Sequence, residues 1–128
     1  MKTLVLGASE NPERYSYKAI HLLRRYGHEV VAVGLRAGQV ADVPIQRTFP
    51  LEEPIDTVTL YLGPDNQAPY TAVLLAAAPR RIIFNPGTEN PDFMRQCRQA
   101  GIEPVVACTL VLLSTGQYGH PSGAENQA

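Results

Sequence analysis

The sequence predicts a single α/β domain of three layers, with a mostly parallel sheet of about five strands covered by helices on both faces. Three observations carry that reading. Short, almost continuous apolar runs recur along the chain, as strands buried on both faces require. Segments of helical period stand between them. The chain has 128 residues, 45% of them hydrophobic, which is the length and composition of one ordinary globule with its own core.

The elements follow in order. Lys2-Thr3-Leu4-Val5-Leu6 is the first strand, running directly into Gly7-Ala8-Ser9-Glu10-Asn11-Pro12. A helix spans Tyr17 to Tyr26, where Ala19, Ile20, Leu22, Leu23 and Tyr26 form an apolar stripe. Ser16 is its candidate N-cap and Gly27 its candidate stop. Glu29 to Val33 is a second buried strand. The Gly- and Pro-containing stretch from Gly34 to Pro54 holds one short strand around Ile45 or Gln46. Thr57 to Leu62 is the next strand, and a helix runs from Asn66 or Gln67 to Ala78. Arg81 to Phe84 is a strand, followed by a helix from Pro91 to Ala100 that Gly101 ends. Glu103 to Ala107 is the last strand, and Cys108 to Thr115 forms a short closing helix. The domain is expected to cover 1–118, with 119–128 as a flexible tail of low apolar content.

Composition excludes several classes. The net charge of −1 gives no basic footprint for nucleic acid and no steering toward a membrane surface. Only four apolar or neutral residues precede Gly7 after Lys2, too few for the core of a signal peptide, and nothing approaches the ~20 apolar residues of a membrane span. Two widely spaced cysteines have no metal-site spacing and read as reduced thiols of a cytoplasmic protein. No Ser–His–Asp order, carboxylate pair or metal cluster stands out, so no catalytic residue is assigned.

Strand, small-residue turn and helix, in that order, build a phosphate site. The turn lets backbone N–H groups approach an anion, and the helix dipole adds attraction. Gly7, Ala8 and Ser9 occupy that turn, and Ser9 offers a hydroxyl besides. The dinucleotide fingerprint Gly-x-Gly-x-x-Gly is not present, since its positions read Gly7, Ser9 and Pro12. In a parallel sheet, ligands sit beyond the carboxyl ends of the strands, so five loops matter: Gly7–Tyr15, Gly34–Ala37, Gly63–Asn66, Asn85–Asn90 and the region of Cys108. After the second strand stands Val33-Gly34-Leu35-Arg36, without the acid that would accept the ribose hydroxyls of NAD. Arg36 suits a ribose that carries a phosphate, as in NADP or coenzyme A. Leu62, Gly63 and Pro64 form an apolar lip and a rigid turn suited to covering adenine or pantetheine, and Gly87 permits close backbone approach. Thr88 or Asn90 is expected to cap the following helix, and Cys108 faces the same edge.

Gly7-Ala8-Ser9-x-x-Pro12 after the first strand resembles the motif of the small stand-alone CoA-binding proteins, which look like the CoA-binding domain of the succinyl-CoA synthetase α subunit cut free. The likeness runs from Lys2 to about Tyr118. Tyr15-Ser16 stands where that family often has Tyr-Gly, Phe84-Asn85-Pro86-Gly87 resembles its later strand and glycine turn, and Gly101-Ile102 to Cys108 its final strand and cysteine. The chain departs from the family's usual Val-Asn-Pro at Val33-Gly34-Leu35-Arg36, and from its proline-richer loop at Gly63-Pro64. The resemblance implies a Rossmann-like domain that binds coenzyme A or an acyl-CoA non-covalently and, lacking the ligase's histidine and ATP-grasp domains, does no ligase chemistry alone. Gly7, Ala8, Ser9, Pro12, Tyr15, Ser16, Gly34, Leu35, Arg36, Leu62, Gly63, Pro64 and Gly87 are the residues it places on the cofactor. Two other readings stay open: a minimal NADP-dependent oxidoreductase, and an interaction protein with a vestigial nucleotide pocket. A homo-oligomer or another protein partner is also left open.

Overall fold

The computed structural model describes residues 2–119. In chain order its elements are β1 (Lys2–Leu6), α1 (Tyr15–Arg25), β2 (Glu29–Val33), β3 (Gly38–Val40), β4 (Val43–Gln46), β5 (Thr57–Leu60), a 3-10 turn at Pro64–Asn66, α2 (Ala68–Ala77), β6 (Arg81–Phe84), α3 (Pro91–Gln99), β7 (Glu103–Val106) and α4 (Thr109–Ser114). All seven strands form one sheet in the order β3-β4-β2-β1-β5-β6-β7. Every pairing is parallel except that of β3 with β4.

The alternation of side chains along each strand builds the two outer layers. From β1, Leu4 and Leu6 join the core under α2 and α3, with Leu74, Phe93 and Cys97. Val5, on the opposite face, joins Ile20 and Leu23 of α1 and Leu113 of α4. β1, β5 and β6 have no exposed residue, so their apolar side chains face both layers and their polar ones, Thr3, Thr57, Thr59 and Arg81, are buried with hydrogen-bond partners.

β1 lies between β2 and β5, in register Leu6↔Val33 and Leu6↔Leu60. The chain winds outward from β1 in one direction first and the other afterwards. Strand order reverses there, so a crevice opens beyond Leu6 at the carboxyl edge of the sheet.

The sheet is larger than the sequence suggests. The 34–54 stretch holds a hairpin of two strands, β3 and β4, where one strand was expected. Ala41, at φ +54°, makes its turn. Helix α1 starts at Tyr15, two residues before its expected start, and Arg14 occupies the N-cap without a side-chain bond. Ser16 is therefore a buried residue of the first turn and caps nothing. Gly27 ends the helix as expected, at φ +86°. Asn90, of the two candidates, caps α3 by accepting the Phe93 amide at 3.2 Å.

At the opposite edge, Tyr118 pins the end of the described chain under the sheet. Its hydroxyl meets Thr3 Oγ1 at 2.6 Å, Arg81 Nη2 donates to its carbonyl at 2.7 Å, and its ring takes the Arg81 guanidinium at 4.5 Å. His28 packs edge-on against the same ring, and burial, with Arg81 nearby, pushes its pKa below the usual imidazole range. The expected tail lies, from residue 120 onward, outside the described residues.

Candidate functional site

Four loops meet along the carboxyl edge, and glycines let them meet. Gly7 has φ +96°, and a Cβ there would lie 3.0 Å from the Tyr61 carbonyl carbon and oxygen and 3.2 Å from Leu62 Cδ2. A Cβ on Gly34 would overlap the carbonyl oxygen of Ala8 and reach Ile45 Cγ2 at 3.2 Å. A Cβ on Gly63 would stand 4.0 Å from the Gly87 carbonyl. The loops after β2, β1, β5 and β6 thus form a continuous row with little side chain between them. A ligand there approaches backbone, which is what an extended phosphate-bearing molecule requires.

The β1–α1 loop is tied down from beneath. The amides of Gly7 and Ala8 both donate to the Val33 carbonyl, at 2.9 and 3.0 Å. Their hydrogens are spent on shaping the turn and are not open to a ligand. Asn11 N–H donates to Ser9 Oγ and Glu13 N–H to Asn11 Oδ1. The amides of Tyr15, Ser16 and Tyr17, the first of α1, have no acceptor among the described residues, and no side chain caps the helix. The first turn also lacks an acid. Arg14 and Lys18 stand here instead, at the end where the dipole disfavours cations. This helix end has open amides and no acid of its own in its first turn.

A buried polar network fixes the loops from β5 to α4. Asn85 Nδ2 donates to Thr59 Oγ1 and to the Leu60 carbonyl, each at 2.7 Å, and its Oδ1 accepts the Thr109 amide at 2.8 Å. Asn85 thereby holds the first amide of α4, whose own N-cap residue, Cys108, makes no cap bond. Thr88 turns back on the Asn85 carbonyl with both N–H and hydroxyl. Gln67, fully buried, donates to the Leu62 and Thr88 carbonyls and accepts from Asn90 Nδ2. Asn85 and Gln67 are the functional-site residues that sequence reasoning missed. Asn85 reads as loop and Gln67 as the start of a helix, and only their burial and bonds show what they hold together.

Tyr61 follows β5 beside this network. Its hydroxyl is buried without a hydrogen-bond partner, and burial pushes its pKa up to about 12. Thr59 and Thr109, which hold each other at 2.8 Å, pull the other way and are outweighed by burial. Cys108 is half-buried at the same edge, whereas Cys97 is buried in α3 with its thiol pushed up to about 11 by burial.

The sequence-predicted residues fall on this edge as follows. Gly7, Ala8, Ser9, Gly34, Leu62, Gly63 and Gly87 belong to the contiguous row. Pro12 and Tyr15 are exposed on the approach to α1, and the Lys18 ammonium lies 5.2 Å over the Tyr15 ring. Leu35 and Arg36 project from the turn after β2, and Leu35 is 83% exposed, a large apolar side chain with nothing of its own chain to cover. Pro64 opens the 3-10 turn. Gly34 presents no side chain to a ligand; its part is the close packing against Ala8. The Gly87 amide is held by the Glu89 carboxylate at 2.9 Å, a contact of the kind an anionic ligand makes.

A parallel sheet with its crevice at the reversal of strand order, and an uncapped helix after its first strand, defines a Rossmann-like domain. The chain belongs to the CoA binding domain family, whose model matches residues 1–114. Among solved structures it is similar to an uncharacterized protein, 45% identical, with a TM-score of 0.88 over 91% of this chain and 97% of that one. It shares its fold with a Thermus thermophilus protein at 23% identity, TM-score 0.81, covering 91% of this chain and 90% of the other. It also matches an acetyl-coenzyme A synthetase of Ca. Korarchaeum cryptofilum, solved with phosphate and ADP, at 13% identity and TM-score 0.70. That match covers 83% of this chain and 25% of the synthetase. No curated protein matches the chain. No helix of the described residues is long and apolar enough to cross a membrane.

Proposed function

We propose that the protein binds coenzyme A or an acyl-CoA non-covalently along the carboxyl edge of the sheet, and performs no ligase chemistry of its own. The carrying observation is the row of backbone-lined loops that ends on the uncapped amino end of α1. Membership of the CoA binding domain family supports it. The diphosphate takes the amides of Tyr15, Ser16 and Tyr17, with Ser9 beside them. Gly7 and Ala8 shape the turn beneath it. Tyr15 and Leu35 offer exposed apolar surface to the adenine, and Arg36 pairs with the 3′-phosphate. Leu62, Gly63 and Pro64 cover the pantetheine side, and Gly87 lets the far end approach its backbone.

Ligand-induced stabilisation tests this. A native-state binder at a hundred times its Kd adds about 2.7 kcal/mol, so CoA should raise the melting temperature by several degrees. NADPH, which lacks the pantetheine arm, should raise it less. A larger shift with NADPH favours the oxidoreductase reading, and no shift with either favours a vestigial pocket. Arg36→Ala should weaken CoA by about 1–3 kcal/mol, the contribution of a charged hydrogen bond, and leave dephospho-CoA unaffected. Equal affinity of variant and wild type for CoA refutes the role of Arg36.

A further inference from the structure

We propose that the groove between α1 and α4 is a docking surface for an acidic, amphipathic segment of a partner protein. The groove is shallow and open, with room for about 400 Å³. Tyr17, Lys18, His21, Leu22 and Arg25 line it from α1, and Leu110 and Ser114 from α4. Residues 18, 21 and 25 share one face of α1, and Arg14, the residue that precedes the helix, adds a further cation at its amino end.

The charge on this surface is segregated. Helix α1 contains no acid at all, and α4 contains no charged residue. The ion pairs of the described residues are Lys2–Glu53, Arg24–Asp42, Arg80–Asp56 and Arg95–Asp92, so Arg14, Lys18 and Arg25 have no carboxylate of their own. This occurs in a chain whose net charge is −1. A merely solvated helix face mixes both signs. On α4, Leu110 brings a half-buried apolar side chain to the groove beside the cations of α1. A cationic rim with an apolar lining matches an acidic segment that carries apolar anchors at helical spacing.

The CoA phosphates do not account for the whole stripe. Helix α1 runs back from the ligand edge, and Arg25 lies seven residues beyond Lys18, about 10 Å further along the axis. Shape argues for a protein segment over a bilayer. The apolar groups Leu22 and Leu110 are half-buried between the helices, whereas an interfacial helix projects its apolar side chains into lipid.

The test uses the full chain with a synthetic peptide of about four helical turns, composed of Glu and Leu with Leu at helical spacing. Fluorescence anisotropy should show binding that weakens with salt. Binding should fall at least about tenfold in the double variant His21→Glu/Arg25→Glu, because like charges then face each other. These residues lie away from the ligand edge, so the CoA-induced melting shift should be unchanged in the variant. Its loss there would mark a folding or site defect, and single variants His21→Gln and Arg25→Gln then carry the test with a smaller expected loss. The proposal is overturned if the peptide does not bind at millimolar concentration. It is equally overturned if a scrambled or Lys/Leu peptide binds as well, or if charge reversal leaves affinity intact. Preferential binding to phosphatidylserine vesicles assigns the groove to membranes, and loss of peptide binding through self-association assigns it to a second copy; either result overturns it too.

Discussion

Asn85→Ala should be the most damaging single truncation at the ligand edge that leaves the hydrophobic core intact. The side chain makes three bonds from a position 3% exposed. Removing it leaves the Thr109 amide without its acceptor in a fully buried residue, and takes a donor from the Leu60 carbonyl. One orphaned buried group costs about 1–3 kcal/mol, and the vacated volume adds about 1 kcal/mol. The sum is about 2–4 kcal/mol, or about 10 °C in melting temperature for a domain of this size. Asn85→Asp isolates the cause. It keeps the acceptor for Thr109 but sets a carboxylate oxygen against the Leu60 carbonyl, where the amide nitrogen sat 2.7 Å away. Burial and that carbonyl raise the new acid's folded pKa above its unfolded value of about 4. The penalty is therefore full at neutral pH and relieved as pH falls through the raised pKa, when a protonated oxygen donates to Leu60. Chemical denaturation at pH 7 and pH 5 measures both variants. A loss under about 1 kcal/mol for Asn85→Ala, or a pH-independent deficit for Asn85→Asp relative to wild type, refutes the argument.

Other predictions follow from the same coordinates. Gly34→Ala forces a methyl group against the Ala8 carbonyl and must displace the β1–α1 loop; it should cost about 1–3 kcal/mol and also weaken CoA, and calorimetry that finds both unchanged removes Gly34 from the account. Gly7→Ala should be worse, since it adds a left-handed φ to a 3.0 Å contact with the Tyr61 backbone; a melting temperature equal to wild type contradicts this. His28 has its folded pKa below its unfolded one, so the unfolded chain binds the proton first. Its contribution to stability is present above the unfolded pKa of about 6.5 and is lost as pH falls toward the folded value. His28→Phe should flatten that slope in denaturation curves taken from pH 8 to pH 5, and an unchanged slope assigns the effect to other groups.

The parts of the fold that apolar runs encode were legible. β2 and β6 lie at the residues their hydrophobic patterns mark, and Gly27 stops α1 because only a left-handed residue continues that turn. The β3–β4 hairpin was half hidden. β3 is three residues long and contains Gly38 and Gln39, and Ala41 makes its turn although alanine carries no turn signal. At the candidate site, the order of strand, turn and helix was legible, and the structure places that turn at the carboxyl edge of the sheet. What the sequence did not reveal was which amides remain open. Gly7 and Ala8 lose theirs to the Val33 carbonyl, a partner on a neighbouring strand, and no local pattern shows that bond. Gly34 looked like a departure from the family's pattern, yet Ala8 leaves no room for a side chain there.

The proposed binding mode requires the diphosphate to meet the first amides of α1. A titration of ¹⁵N-labelled protein with coenzyme A, followed residue by residue in amide spectra, reads those groups directly. The amides of Tyr15, Ser16 and Tyr17 should move first and furthest, together with Ser9, while those of Gly7 and Ala8, already bonded to Val33, move less. Saturating shifts that leave residues 15–17 still, or no shift at millimolar ligand, would contradict it.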